Sequence, residues 1–381
     1  MNVLLILGNG FDLNLGLPTA YSHFYQYYLK EGSYSMQGKF LKESLYNWKN
    51  YSDTNENEII DWVDLELALG KVSEKYNSPK DYLADIDHIS EELTKYLRAV
   101  EQLPIRSLEK VAKHFIDDVL KVSLLTEISQ FSDDNKTNAA HDFVGYFDPN
   151  PTKGLRSFLN NSTFNQSFLK LDIMTFNYTN TVERIFEELK RNDSFSKKIS
   201  LGSILHVHQD LGEEGVILGV DSVNQITNSA FHSTYSIFNG IVKPNLLKEY
   251  ASGIDTQCIS TIEEADVIIL FGVSMGLSDA SWWRNLGRIV KGNGKRIIYC
   301  PYESPEDFVY TSRAIVSRIH NLILFFLNKL DLSVSQYDEM YSKVYPVRKN
   351  QMFNFGIYND LKIAQEKYLK LVIDSLLKSK L

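Results

Sequence analysis

The chain has 381 residues, and its composition excludes several classes of protein before any motif is considered. With 44% hydrophobic and 23% charged residues, it has the composition of a globular protein rather than a disordered or fibrous one. The formal charge of −8 provides no basic footprint for DNA or RNA, so we expect no nucleic-acid partner. Its two cysteines, Cys258 and Cys300, form neither a disulfide framework nor a four-cysteine zinc site.

The apolar run at the start of the chain, Val3 to Leu7, is too short for a signal peptide or a membrane span. No other stretch approaches the roughly 18 apolar residues that a membrane span needs. We therefore expect a cytoplasmic protein without a membrane partner.

Short apolar runs recur along the chain and predict strands. In chain order they cover residues 3–7, 171–176, 203–208, 215–220, 266–272 and 295–300. Several are apolar throughout, which is typical of strands buried on both faces of a parallel sheet.

Helical patterns separate some of these strands. Apolar residues recur at helical spacing at Val182, Ile185, Phe186 and Leu189, and again at Trp282, Leu286, Ile289 and Val290. Asn180 and Glu183 resemble a capping box at the start of the first of these helices. The alternation predicts an α/β fold with an open, mostly parallel, Rossmann-like sheet.

Two segments depart from this alternation. Residues 30–165 lack convincing strands and carry amphipathic helical stretches, so we predict a helical insertion that ends in a polar loop at 131–154. Residues 304–381 are predicted to form a mostly helical C-terminal extension. The α/β nucleotide-binding domain would then consist of residues 1–29 and 166–303.

Polar residues follow four of the predicted strands at their carboxyl ends, where open α/β sheets bind ligands. In chain order they are Gly8, Asn9, Gly10, Phe11 and Asp12; Thr175 and Asn177; His206 and His208; and Gly272, Ser274 and Asp279. Four converging strand ends predict a polar pocket.

Each of these residues also has a simpler explanation that the sequence leaves open. Glycines are favoured in any tight turn, and Asn177 is a good turn former. Asp12, Ser274 and Asp279 can cap helices. His206 and His208 alternate along a predicted strand and so would share a face, either as structural histidines or, with Asp210, as metal ligands. Asp64 and Glu66 lie in a helical stretch where carboxylates usually face solvent, and Trp282 and Trp283 are predicted to be core residues.

Several segments resemble the AbiH family of bacterial phage abortive-infection proteins. They are "ILGNGFDLNLGLPTAYSHF", "WVDLE", "TFNYTNTVE", "LHVHQ", "ILGVD" and "LFGVSMGLSDASWW", which run from residue 4 to 283 in the family's order. The resemblance implies a role in phage defence. An effector of this kind would be held inactive until a phage-derived trigger arrives, with the helical insertion or tail covering the pocket or building a homo-oligomer.

A more distant resemblance links the same strand ends to sirtuin-like domains, which share the glycine loop, the Asn after a T-x-N strand, the strand-end His and the G-x-S strand end. It implies that NAD binds here, with its phosphates over the Gly8–Asp12 loop and its nicotinamide ribose beside Asn177 and His208. Thr175, Gly272, Ser274 and Asp279 would complete the site. Gln209 follows His208 where sirtuins usually have Gly, and the chain lacks the four cysteines of zinc-bearing deacylases.

The leading hypothesis is therefore an NAD glycohydrolase that needs no metal. Asn177 would hold the ribose hydroxyls or the attacking water, and His208 would act as general base. Two alternatives stay open at this point. One is a nucleotide-binding sensor without catalysis, and the other is a metal-dependent nuclease or phosphohydrolase built on His206, His208 and Asp210.

Overall fold

The computed structural model describes most of the chain, in twelve stretches. They are residues 1–30, 38–50, 63–123, 169–191, 199–212, 215–250, 253–291, 294–302, 311–341, 343–347, 352–358 and 360–378. The polar loop predicted at 131–154 and the predicted boundaries near 165 and 303 lie outside the described residues.

Six parallel strands form one open sheet, which confirms the α/β class. The strands are β1 (Asn2–Leu7), β2 (Leu169–Thr175), β3 (Ile199–His206), β4 (Val267–Phe271), β5 (Arg296–Cys300) and β6 (Val344–Pro346). Their order is β3-β2-β1-β4-β5-β6, the order of a doubly wound sheet. The direction of winding reverses between β1 and β4, and a crevice for ligands is expected at that switch point.

Helices precede and follow these strands along the chain. They are α1 (Gly10–Asn14), α2 (Tyr21–Lys30), α3 (Lys39–Asn50), α4 (Leu65–Val72), α5 (Pro79–Glu101), α6 (Leu108–Ser123), α7 (Thr181–Arg191), α8 (Tyr235–Gly240), α9 (Lys243–Tyr250), α10 (Ile254–Glu264), α11 (Ala280–Val290), α12 (Ser312–Lys329), α13 (Val334–Tyr341) and α14 (Leu361–Lys378). The helices predicted from apolar spacing correspond to α7 and α11.

The sheet separates two hydrophobic cores. Side chains of a strand alternate between its faces, so Val3 and Leu5 of β1 pack into one core while Leu4 and Ile6 pack into the other. All four are fully or almost fully buried. The fold therefore has helices on both faces of a buried parallel sheet, which explains why the strands read as continuous apolar runs.

Helices from the predicted insertion share the first core with the α/β unit. Phe11 of α1 meets Phe115 of α6 edge-on at a centroid distance of 5.8 Å. The Phe115 ring in turn stacks on Phe353, from the C-terminal segment, at 5.0 Å. These contacts place the loop after β1 directly against both segments that the sequence set apart.

Two sequence predictions are wrong in detail. Residues 215–220 form no strand, because only Val220 pairs, through a single bridge to Val242. The third strand ends at His206, so His208 lies in the turn beyond it. Besides helices α12, α13 and α14, the described residues of the tail contribute strand β6 to the sheet edge.

Among the described residues, no helix combines the length and the apolar character needed to cross a membrane.

Candidate functional site

The loops that follow β1 and β4 are hydrogen bonded to each other at the switch point. The Gly8 amide donates to the Phe271 carbonyl at 3.0 Å, and the Gly10 amide donates to the Gly272 carbonyl at 2.9 Å. These two amides are therefore already used within the protein. A ligand at this edge would be held by other groups of the loops.

A cavity of about 730 Å³ opens between these loops and the end of β2. Its size is within the range of small-molecule sites. Of the eleven residues that the sirtuin-like resemblance assigns to the NAD site, eight line the cavity, namely Gly8, Asn9, Gly10, Asp12, Asn177, Gly272, Ser274 and Asp279. The other three lie behind the wall. Phe11 packs in the aromatic core. Thr175 is buried, and its hydroxyl accepts a hydrogen bond from the backbone amide of Asn177 at 3.1 Å. His208 contacts Asp279.

Asp12 and Asn177 present polar atoms that no side chain or backbone group of the described residues satisfies. Asp12 is only 1% exposed, and the Thr179 hydroxyl donates to its Oδ2 while Oδ1 has no partner. Asn177 is 7% exposed, and neither its Oδ1 nor its Nδ2 has a partner. Leaving such groups unpaired is costly, and functional sites are where native proteins accept this cost. Both residues line the cavity, so a ligand there could satisfy them.

Burial also changes the acidity of Asp12. Removal from water raises the pKa of this carboxyl to about 6, although the neighbouring side chains of Thr179, Thr181 and Asn177 act in the opposite direction. An acid with this pKa is mostly ionised at neutral pH and can accept a proton from a bound water.

A charged network borders another part of the cavity. Lys243 at the start of α9 donates to Glu66 Oε2 and to Asp279 Oδ1, both at 2.7 Å. His208 Nε2 lies 3.0 Å from the same Asp279 oxygen. Glu66 and Asp279 line the cavity, whereas Lys243 and His208 are buried behind them.

One ammonium group shared by two carboxylates cannot neutralise both. Burial raises the pKa of Glu66 to about 8 despite the nearby Lys243 ammonium. Burial acts on Asp279 in the same direction, but Lys243 and His208 outweigh it and lower its pKa. Burial and the Lys243 charge lower the pKa of His208. At neutral pH the network therefore consists of a Lys243–Asp279 ion pair, a mostly protonated Glu66 and a neutral His208.

His206 has a different environment from His208. Its Nδ1 lies 2.9 Å from the Asn177 carbonyl oxygen and its Nε2 lies 2.8 Å from Glu183 Oε1. Burial opposes protonation of this ring, yet the Glu183 carboxylate raises its pKa overall. Because β3 ends at His206, the two histidines do not share a strand face as predicted. His206 instead connects α7 to the backbone of Asn177.

Two other interpretations of the sequence change with these contacts. The capping box predicted at Asn180 and Glu183 does not form. The backbone amide of Asn180 donates to Glu101 Oε1 at 2.6 Å instead of to Glu183, whose carboxylate contacts His206. The carboxylate of Asp210 accepts the Gly212 backbone amide at 3.0 Å, and its charge adds to the rise in the pKa of His206. Within the described ranges, no group of three or more His, Cys, Asp or Glu side chains is placed to hold a metal ion.

Lys243 was not among the residues predicted from the sequence, and Glu66, expected to face solvent, is buried. A single lysine after Ile241 and Val242 matches no known motif. Its two carboxylate partners, Glu66 and Asp279, lie 177 and 36 positions away along the chain. Trp282 and Trp283 are buried as predicted, and Trp283 also forms part of the cavity wall.

Fold and cavity together define a doubly wound α/β protein with a ligand-sized site at its switch point. The family model for bacteriophage abortive infection AbiH matches residues 4–300. The chain therefore belongs to the AbiH family, which implies a role in phage defence by abortive infection. Comparisons with curated proteins and with solved structures gave no match.

Proposed function

We propose that this AbiH protein is a phage-defence effector that binds NAD in the switch-point cavity and hydrolyses the bond between nicotinamide and ribose. The observation that carries the proposal is Asn177, a buried amide on the cavity wall whose two polar atoms have no partner among the described residues. The sequence resemblance of the surrounding loops to sirtuin-like domains supports NAD as the nucleotide.

The proposed reaction needs water, an orienting group and a base. Water adds to C1′ of the ribose, and nicotinamide leaves with the electrons of the carbon–nitrogen bond. Asn177 orients the ribose hydroxyls or the water. Asp12, which lines the cavity, accepts the proton from the water through its unpartnered Oδ1. Positioning of these groups supplies much of the rate enhancement.

His208, the base of the sequence hypothesis, has a supporting role in this proposal. Its ring lies behind Asp279 and packs against Phe176 and Tyr178, at centroid distances of 5.5 and 6.2 Å. From this position it can orient the Asp279 carboxylate. Direct proton transfer to a ligand in the cavity would require the ring to move.

The covered position of His208 also favours a second candidate function, a nucleotide sensor without catalysis. Gln209, which replaces the usual sirtuin glycine, adopts a left-handed backbone with φ 63°. A sensor would bind NAD or ADP-ribose and leave it intact. Calorimetry of binding combined with an assay of nicotinamide release distinguishes the two functions.

Loss of NAD would be lethal to the host, so we propose that a phage-derived trigger, a homo-oligomer or both control the effector. Helix α14 is the best segment for a test, because removing the whole tail would also remove β6 from the sheet. Gln365 of α14 donates to the Leu13 carbonyl of α1 at 2.8 Å, next to the β1 loop. Deletion of residues 360–381 should change the oligomeric state, measured by light scattering, or the basal toxicity, and no change in either would contradict this control.

The direct test of the proposed function is to incubate purified protein with NAD and follow the release of nicotinamide. Turnover that is lost in Asn177→Ala would support the proposal. Binding without turnover would favour the sensor, and neither binding nor turnover would contradict both functions.

A further inference from the structure

The ring of His206 lies between two hydrogen-bond acceptors. Its Nδ1 is 2.9 Å from the carbonyl oxygen of Asn177, and its Nε2 is 2.8 Å from Glu183 Oε1. A neutral imidazole carries a proton on only one ring nitrogen, so it can donate to only one of these oxygens. The other nitrogen would then turn a lone pair toward an oxygen lone pair at hydrogen-bond distance, which is repulsive. The geometry therefore requires a proton on both sides of the ring.

The charges around the ring agree with this geometry. Burial opposes a positive charge on His206, but Glu183, the Asn177 carbonyl and Asp210 outweigh it and raise the pKa of the ring above the ordinary histidine value. Both charged groups that raise it are acids, Glu183 on α7 and Asp210 beyond β3. The second carboxylate oxygen of Glu183, Oε2, is buried and has no hydrogen-bond partner among the described residues. Glu183 is therefore placed to compensate the charge of His206.

A bulge in β3 turns His206 toward α7. The register of β2 and β3 shifts between Leu171 and Ile173, where β3 advances by one residue more than β2. Because side chains alternate along a strand, this extra residue moves His206 to the opposite face of the sheet, where it meets α7. Asp172 holds the bulge, since its Oδ1 accepts from the amide and the hydroxyl of Ser203 at 2.8 and 3.0 Å.

We infer that Glu183 and His206 form an ion pair that fixes the backbone of Asn177 and so positions the Asn177 side chain at the cavity wall. His206 holds the Asn177 carbonyl, and the Asn177 amide donates to the Thr175 hydroxyl at 3.1 Å. The backbone decides which rotamers a side chain can adopt, so fixing it on both sides also directs the side chain. His206 acts through Asn177 and is a positioning residue. The inference rests on the proposed function for the role of Asn177 in binding NAD.

The charge of the ring is tested by NMR of the 381-residue chain with 15N-labelled histidine. At neutral pH the His206 ring, assigned by comparison with His206→Asn, should show both nitrogens protonated. Glu183→Gln should make the ring neutral, because a glutamine amide can donate to Nε2 while Nδ1 still donates to the Asn177 carbonyl. A neutral His206 ring in the wild type, or a ring in Glu183→Gln that keeps its charge to the same pH as the wild type, would overturn the inference.

Two variants of His206 test the positioning role. His206→Leu removes the donor to the Asn177 carbonyl, whereas His206→Asn keeps one, since the asparagine amide nitrogen takes the place of Nδ1. In His206→Leu the NMR signal of the Asn177 side-chain amide should move, and the affinity for NAD should fall about tenfold, the scale of one hydrogen bond to a charged group. His206→Asn should restore both.

His232→Leu is the matched control. Nε2 of His232 also contacts a backbone carbonyl, that of Ile226 at 2.6 Å, but neither residue lines the cavity. Its loss should leave the Asn177 signal and the NAD affinity unchanged. A folded His206→Leu protein with an unmoved Asn177 signal would overturn the inference. If the Asn177 signal moves but the wild type does not bind NAD, the proposed function is contradicted and the positioning role is supported.

Discussion

Gly10 and Gly272 are in direct backbone contact across the switch point. A Cβ atom on Gly10 would lie 2.6 Å from the Gly272 Cα, and one on Gly272 would lie 2.6 Å from the Phe11 nitrogen. Such distances are too short for carbon and nitrogen atoms, so the two loops approach this closely only because both residues are glycine. The contact forms the floor of the cavity, since both residues line it.

We expect Gly272→Ala to destabilise the protein strongly. Its backbone has φ +69°, and the added methyl group would also meet backbone atoms that cannot rotate away. Gly253→Ala is the control, because it has a similar left-handed backbone at φ +94° but its nearest neighbour would be Gln257 Nε2 at 3.8 Å. Urea unfolding should show that Gly253→Ala lowers the free energy of unfolding by about 1 kcal/mol. Gly272→Ala should lower it by about 2 kcal/mol more. Equal losses would show that the loops can separate without penalty.

Asn177→Ala should separate binding from stability. The amide has no hydrogen-bond partner among the described residues, so its loss should leave the melting temperature within a few degrees of the wild type. Binding of NAD should be lost or greatly weakened. Asn228→Ala provides the opposite case, since Asn228 donates to the Tyr76 carbonyl at 2.9 Å and accepts from the Ala230 amide at 3.1 Å. That variant should melt earlier and bind NAD normally. An Asn177→Ala protein with normal affinity would remove this residue from the site.

Asp12→Asn should stabilise the protein at alkaline pH. Because burial raises the folded-state pKa from 3.8 to about 6, the folded protein holds the proton more tightly than the unfolded chain, and stability falls as pH rises through that window. Ionised Asp12 therefore lowers the free energy of unfolding by about 3 kcal/mol above pH 6, since each tenfold change in proton affinity corresponds to about 1.4 kcal/mol. The variant removes this penalty, so its gain should be present at pH 8 and small at pH 4. A gain of equal size at both values would show that the charge of Asp12 is not the cause.

The same substitution should abolish most of the activity. If Asp12 is the base, Asp12→Asn costs roughly 10²–10⁴-fold in rate, and the wild-type rate falls as pH drops through about 6. His208→Ala should cost less, because the ring lies behind Asp279. Measured rates of nicotinamide release give the ranking. If His208→Ala were inactive and Asp12→Asn active, the base would be His208, as the sequence resemblance implies.

Lys243→Met should be among the most damaging changes outside the core. It leaves Glu66 and Asp279 without the ammonium group that both accept from. Removing one partner of a buried ion pair costs about 3–5 kcal/mol. Adding Asp279→Asn in the double variant should recover part of the loss, since it removes the unpaired charge. Urea unfolding of the two proteins provides the comparison, and a Lys243→Met protein as stable as the wild type would show that the network is not held by this cation.

The sheet could be predicted because its strands are buried on both faces. β1, β2, β4 and β5 each read as an apolar run, and eight of the polar or glycine residues noted after β1, β2 and β4 line the cavity. β6 has only three residues, too few for a pattern to be recognised. Residues 215–220 have the composition of a strand, but beyond the single pair at Val220 no neighbouring strand pairs with them in the described part of the sheet.

The site was harder to predict than the fold because it depends on contacts between distant segments. His206 and His208 are equivalent by spacing, yet one contacts Glu183 and the other contacts Asp279. Nothing local distinguishes them, since the strand ends between the two residues only in the folded chain. No pattern in the sequence marks Lys243, which meets Glu66 and Asp279 only in the folded chain.

Nicotinamide release from NAD by the purified 381-residue chain is the most direct test of NAD hydrolysis. The protein should be assayed alone and with lysate from phage-infected cells, in case the trigger is needed, and Asn177→Ala should be assayed in parallel. We expect equal amounts of nicotinamide and ADP-ribose from the wild type in at least one condition, with none above background from the variant. NAD that stays intact with the wild type in both conditions would contradict it.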